Sequence, residues 1–127
     1  MASVGLVLVV EDEPQFREPL EHLLRQRSFD VISADAADTA LEAIDAMRPD
    51  AAIVDLHLKR GSGRDVIVRM PQRAPVIIFS GMRAASGELE RIRPRTRLVE
   101  KPASLTWVLD TLEQMLLDSR QRQSPTV

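Results

Sequence analysis

The stretch Leu6-Val7-Leu8-Val9-Val10-Glu11-Asp12-Glu13 carries the first decision about the fold. Five apolar residues run without a polar alternation and stop at three acids. An unbroken β-branched run of this length is a strand buried on both faces, which is the habit of a parallel sheet covered by helices. Four more short runs follow at intervals of about twenty residues: Asp30–Ala34, Ala51–Asp55, Pro75–Phe79 and Arg97–Glu100. Val76-Ile77-Ile78-Phe79 repeats the unbroken pattern of the first.

Helical periodicity fills the intervals. Phe16, Leu20, Leu23 and Leu24 follow an i, i+4, i+7, i+8 pattern, with Pro19 requiring a late start near Phe16 or a kink. Ala40, Leu41, Ile44 and Met47 form a second stripe, with Asp38 as N-cap and Pro49 beyond the end. Ser62 to Met70 is a third helix, and Ser86 to Arg93 a short fourth anchored by Leu89 and Ile92. Ser104 to Leu117 is the fifth, striped by Leu105, Val108, Leu109, Leu112, Met115 and Leu116. Five alternations of strand and helix predict an α/β fold, a (βα)5 doubly wound five-stranded parallel sheet with helices on both faces. Residues 1–117 form the domain, and the polar stretch 118–127 reads as a disordered tail.

Composition narrows the function. A chain of 127 residues is one domain, large enough to bury about two-thirds of its unfolded surface. Its net charge of −2 gives no support to nucleic-acid or acidic-membrane binding. With no cysteine there is no disulfide framework, thiolate nucleophile or zinc-thiolate site, and two histidines do not make a histidine cage. The run before Glu11 lacks the basic flank of a signal peptide and the length of a membrane span, so a cytoplasmic location is expected.

In an open α/β sheet, ligands bind outside the carboxyl ends of the strands. Glu11 and Asp12 follow strand one, Asp55 ends strand three, Ser80 follows strand four, and Lys101-Pro102 follows strand five. Each alone has a plain reading: a solvated acid, a helix N-cap cluster, a turn serine, a surface lysine. Their convergence on one edge makes a site. Three crowded carboxylates call for a cation, and hard oxygen ligands suit Mg²⁺. A lysine and a serine add nothing to bare Mg²⁺, but both have roles beside a transferring phosphoryl group. An aspartate can itself be the nucleophile. The set reads as Mg²⁺-dependent phosphoryl transfer onto a carboxylate.

These residues resemble the receiver domain of two-component response regulators. The matching segments are Val9-Val10-Glu11-Asp12-Glu13-Pro14, Ile53-Val54-Asp55-Leu56, Phe79-Ser80-Gly81 and Val99-Glu100-Lys101-Pro102, in the family's order and across the chain to about Leu117. The resemblance implies the flavodoxin-like strand order 2-1-3-4-5. It implies that Asp55 accepts a phosphoryl group from the phosphohistidine of a sensor kinase or histidine phosphotransfer protein. Glu11, Asp12, Asp55 and the His57 backbone carbonyl would hold Mg²⁺. Ser80 would move toward the phosphoryl oxygens, and Lys101, before a cis proline, would pair with them. Gly63 stands where the family has its glycine. The output would be altered binding of an effector protein, with no external substrate turned over and hence no enzyme in the usual sense.

Three departures stand out. Lys59 occupies the family's usual proline position, Leu98 that of the switch aromatic, and Arg93-Pro94-Arg95 that of a small-residue turn. The thin fourth helix is expected to be the mobile element. Trp107 lies off the stripe of helix five and is expected to be partly exposed; the five arginines between Arg83 and Arg97 read as a solvated face. Among the rivals, a haloacid-dehalogenase-type phosphatase needs an aspartate where His57 stands. A phosphorylation-independent interaction module, and a receiver cut from a hybrid kinase or longer regulator, keep the same residues.

Overall fold

The computed structural model describes residues 2–81 and 88–123. Its elements are β1 (Leu6–Val10), α1 (Pro14–Gln26), β2 (Asp30–Ala34), α2 (Ala37–Met47), β3 (Ala51–Val54), α3 (Gly63–Arg69), β4 (Val76–Ser80), α4 (Glu88–Ile92), β5 (Thr96–Glu100) and α5 (Leu105–Gln123). All strand pairings are parallel, in the order β2-β1-β3-β4-β5. The alternation of strand and helix and the order drawn from the resemblance are both met.

The period of two along a strand divides the core. Leu8 and Val10 of β1 point to one face, with Ala40 and Ile44 of α2, Val66 and Ile67 of α3, and Leu89 of α4. Val7 and Val9 point to the other, with Leu20 and Leu24 of α1 and Val108, Leu109, Leu112 and Leu116 of α5. Every residue of β3 and β4 is buried, so the apolar runs are continuous because both faces are covered.

Several boundaries differ from the sequence reading. Pro14 sits in the first turn of α1, where its missing N–H costs nothing, so the helix starts before Phe16. Pro19 lies inside the helix and leaves only the carbonyl of the exposed Gln15 without its usual donor. In α2 the N-cap is Ala36, and Asp38 lies within the first turn. Ser62 caps α3, its hydroxyl accepting from the Arg64 N–H at 3.1 Å. Residues 86 and 87 of the expected fourth helix lie outside the described residues, and so do 124–127 of the expected tail.

The tail reading is corrected for residues 118–123, which continue α5. Periodicity fades there, but polar anchors replace it. Ser119 is buried and donates to the Arg73 carbonyl at 2.8 Å, and Arg120 donates to the Val4 carbonyl at 2.7 Å.

Arg93 is a second correction. The charge pattern places it on a solvated face, yet it is 3% exposed. Its guanidinium donates to the carbonyls of Pro71 and Ala74 and to the Thr96 hydroxyl, tying the end of α4 to the turn before β4. Burial, with Arg95 nearby, lowers its pKa to about 10, so it stays charged at neutral pH. Its terminal nitrogens are held by carbonyls while Nε has no partner among the described residues, and removing the group strands those carbonyls at a cost. Arg93→Met is expected to lower unfolding stability by about 3 kcal/mol, against less than about 0.5 kcal/mol for the exposed Arg97→Met, read from urea midpoints at constant slope.

Candidate phosphoacceptor site

Register builds the site. Val10 of β1 pairs with Val54 of β3, so the next residues, Glu11 and Asp55, emerge side by side. The Asp55 N–H donates to the Val10 carbonyl at 2.9 Å, extending the ladder by one step. Ser80 of β4 pairs with Glu100 of β5, and the Lys101 N–H donates to the Ser80 carbonyl at 2.9 Å. Four strand ends therefore deliver Glu11, Asp55, Ser80 and Lys101 to one edge. The Lys101–Pro102 peptide bond is cis, as the resemblance implied.

Carboxylate oxygens of Glu11, Asp12 and Asp55 all lie within 4.8 Å of one another. The Lys101 ammonium donates to Asp55 Oδ2 at 3.1 Å and to Glu11 Oε1. All three side chains of that bridge are at least nine-tenths buried. Burial pushes the Glu11 carboxyl above its ordinary value, and hydrogen bonds from Lys101 and from the Glu13 N–H offset this only in part. Burial also works against the Lys101 charge, but its hydrogen bonds to Glu11 and Asp55 outweigh that and raise its pKa. The ammonium is accordingly charged at neutral pH.

Backbone donors fix the acids. Asp55 Oδ1 accepts from the His57 N–H at 3.0 Å, and Asp12 Oδ2 from the Lys59 N–H at 2.7 Å. A proline at position 59 has no N–H to give, so this departure supplies a tether for Asp12 that the family's usual residue lacks. Glu11 Oε2 accepts from the Glu13 N–H at 3.2 Å, and Arg17 holds the Glu11 carbonyl at 2.9 Å. Gly63 closes the loop from behind: a Cβ there would stand 2.0 Å from the Asp55 carbonyl oxygen. No side chain fits, which is why this position is glycine.

A cleft of about 440 Å³ opens over these groups, lined by Glu13, Phe16, Asp55, His57, Ser80, Gly81, Lys101 and Pro102. Ser80 Oγ is fully buried and has no hydrogen-bond partner among the described residues. An orphan hydroxyl is costly in a core, but at the base of a cleft it suits an incoming oxygen. The donor set also fits a divalent cation. Three carboxylates against one ammonium leave a formal excess of two negative charges, all on hard oxygens.

The geometry thus brings together Glu11, Asp12, Asp55, Ser80 and Lys101, and puts His57 at the mouth. His22 and Trp107 are exposed elsewhere, Trp107 by 50%, as its place off the stripe of α5 predicted. Sequence reasoning passed over Phe16, whose ring faces the ammonium, and the Lys59 N–H. A phenylalanine on an apolar stripe and a backbone amide give no signal of their own.

The parallel sheet and its acidic edge have the layout of a receiver domain, and comparison with known proteins agrees. The family model described as response regulator receiver domain matches residues 7–105, and the chain belongs to that family. It is 38% identical over 89 residues to the transcriptional regulatory protein KdpE of Mycobacterium tuberculosis, covering 68% of this chain and 39% of KdpE. It is 30% identical over 128 aligned positions to the sensory/regulatory protein RpfC of Xanthomonas campestris pv. campestris, covering 94% of this chain and 18% of RpfC. The chain therefore spans well under half the length of these relatives. A receiver domain structure from Methanospirillum hungatei, 16% identical, superposes with a TM-score of 0.84 over 94% of this chain and 99% of that one. At that identity the likeness speaks for the fold alone. Among the described residues no helix is long and apolar enough to cross a membrane.

Crowded acids should make the cation-free site a source of instability. Asp12→Asn keeps an oxygen for the Lys59 N–H but removes one charge. In chelator it is expected to unfold about 3 °C above wild type by calorimetry. Millimolar Mg²⁺ should raise the wild-type midpoint and leave that of the variant nearly unmoved.

Proposed function

We propose that this chain is a phosphorylation switch whose acceptor is Asp55. The donor is a phosphohistidine on a histidine kinase or histidine phosphotransfer protein. One observation carries the reading: a buried lysine bridges Asp55 and Glu11 in the cleft whose lining includes a serine hydroxyl with no partner among the described residues.

The step is a displacement at phosphorus. An Asp55 carboxylate oxygen forms the new P–O bond as the P–N bond to the donor imidazole breaks, its electron pair staying on the nitrogen. The His57 and Lys101 donors hold the carboxylate in place while both oxygens keep lone pairs to spare. Lys101 faces the equatorial oxygens and compensates their charge. The Ser80 hydroxyl turns to donate to one of them, which gives that orphan group its partner. Glu11, Asp12, Asp55 and the His57 carbonyl are the residues that would hold Mg²⁺, which when bound offsets phosphoryl charge without titrating.

The consequence is a change in what the surface binds. Leu98 takes the place of the family's switch aromatic and is half-buried against the α2–α4 side of the core. The signal then runs through the Ser80 movement and the backbone that follows it. The chain turns over no external substrate, acts in the cytoplasm, and hands its state to an effector protein rather than to nucleic acid or membrane. In the stand-alone form that effector is a separate protein. A second reading, a receiver within a longer regulator or hybrid kinase, draws on the small share of KdpE and RpfC that the chain spans.

Purified chain incubated with Mg²⁺ and acetyl phosphate is expected to gain one phosphoryl group by intact mass, and Asp55→Asn or chelator should abolish the gain. No adduct, together with no response of Trp107 emission to beryllium fluoride, would replace the switch by a phosphorylation-independent interaction module.

A further inference from the structure

Lys101 is held by more than its two carboxylates. Its ammonium lies 4.2 Å from the centroid of the Phe16 ring and 5.5 Å from that of Phe79. A cation over an aromatic face within about 6 Å is attracted by the ring quadrupole, and more strongly where water is excluded. Water is excluded here, since the Lys101 side chain is 7% exposed. The ring is also fixed. Phe16 enters from the first turn of α1, and its ring meets Phe79 edge to face, with centroids 5.9 Å apart and planes at 87°. Phe79 is buried in β4 and directly precedes Ser80. The aromatic pair is therefore anchored to the strand that carries the site's hydroxyl.

The two kinds of contact differ in what happens to them during the reaction. A lysine is a point charge on a flexible four-carbon stem and follows the nearest negative groups. Glu11 draws it to one side, and the Asp55 carboxylate changes its bonding once phosphorus is attached. The attraction of a ring depends on neither. Phe16 is the uncharged contact that keeps the ammonium in place in both states.

We propose that Phe16 is a positioning residue of this site, its ring face holding the Lys101 ammonium toward Asp55 while the phosphoryl group transfers. This rests on Asp55 being the phosphoacceptor. Phe16 forms no bond with the reacting atoms, and its effect passes through Lys101.

Two variants test it. Phe16→Leu keeps apolar bulk and removes the π-face, and Phe16→Tyr restores the face. With acetyl phosphate and saturating Mg²⁺, Phe16→Leu is expected to lower the second-order rate constant of phosphorylation about tenfold, with Phe16→Tyr within about twofold of wild type. The Lys101 ε-methylene protons, assigned by NMR, should carry an upfield ring-current shift in wild type and Phe16→Tyr and lose it in Phe16→Leu. The shift reports that the ammonium stem sits over the ring, while a merely structural role would leave the Phe16→Leu phosphorylation rate close to wild type. A Phe16→Leu protein that is phosphorylated at the wild-type rate, or whose Lys101 resonance does not move, overturns the proposal alone. A wild-type chain that takes no phosphoryl group overturns the parent reading, and this one with it.

Discussion

Glu11 and Asp55 are buried carboxylates with a single ammonium between them, and the edge of the sheet is organised around that arrangement. Two such charges at this depth repel unless something of opposite sign is placed among them. Lys101 provides it and is almost wholly withdrawn from water in doing so. One ammonium does not balance three acids, since Asp12 lies in the same cluster. The remaining formal charge lies on hard oxygens, which a divalent cation would offset.

Around this, the loops supply direction more than bulk. The N–H groups of His57, Lys59 and Glu13 each hold one carboxylate oxygen, so the three acids are aimed by backbone. Gly63 lets the β3–α3 loop fold back against the Asp55 carbonyl, an approach that no side chain permits. The opposite end of the sheet is organised by arginine. Arg93 gathers the carbonyls of the turn before β4, and Arg95 and Ser119 hold the Arg73 carbonyl beside it. The floor of the domain is thereby tied to both α4 and the last turns of α5, while the acidic cluster lies at the other edge.

The sheet was legible because its strands are unbroken runs, and a run covered on both faces needs no long-range information to be recognised. That Glu11, Asp12, Asp55, Ser80 and Lys101 share one edge was legible because each stands at or just beyond the end of a strand, and parallel strands bring their carboxyl ends together. Errors fell where polar residues decide an element. Residues 118–123 lost their apolar period and were read as tail, yet Ser119 and Arg120 hold them helical through hydrogen bonds to residues 73 and 4. Arg93 was read as solvated because arginine usually is, and nothing in its neighbours revealed the ring of carbonyls awaiting it.

Sequence by itself therefore determined the alternation of strand and helix and the list of groups gathered at the acidic edge. Those are consequences of period and chain direction, which are local properties. Tertiary structure alone decided which groups touch: Lys101 against Glu11 and Asp55 across some ninety and forty-six positions of chain, Phe16 beneath that lysine, and the Lys59 amide on Asp12. Such contacts depend on register and on where helices come to rest against the sheet. Packing sets both, and packing is a property of the whole chain.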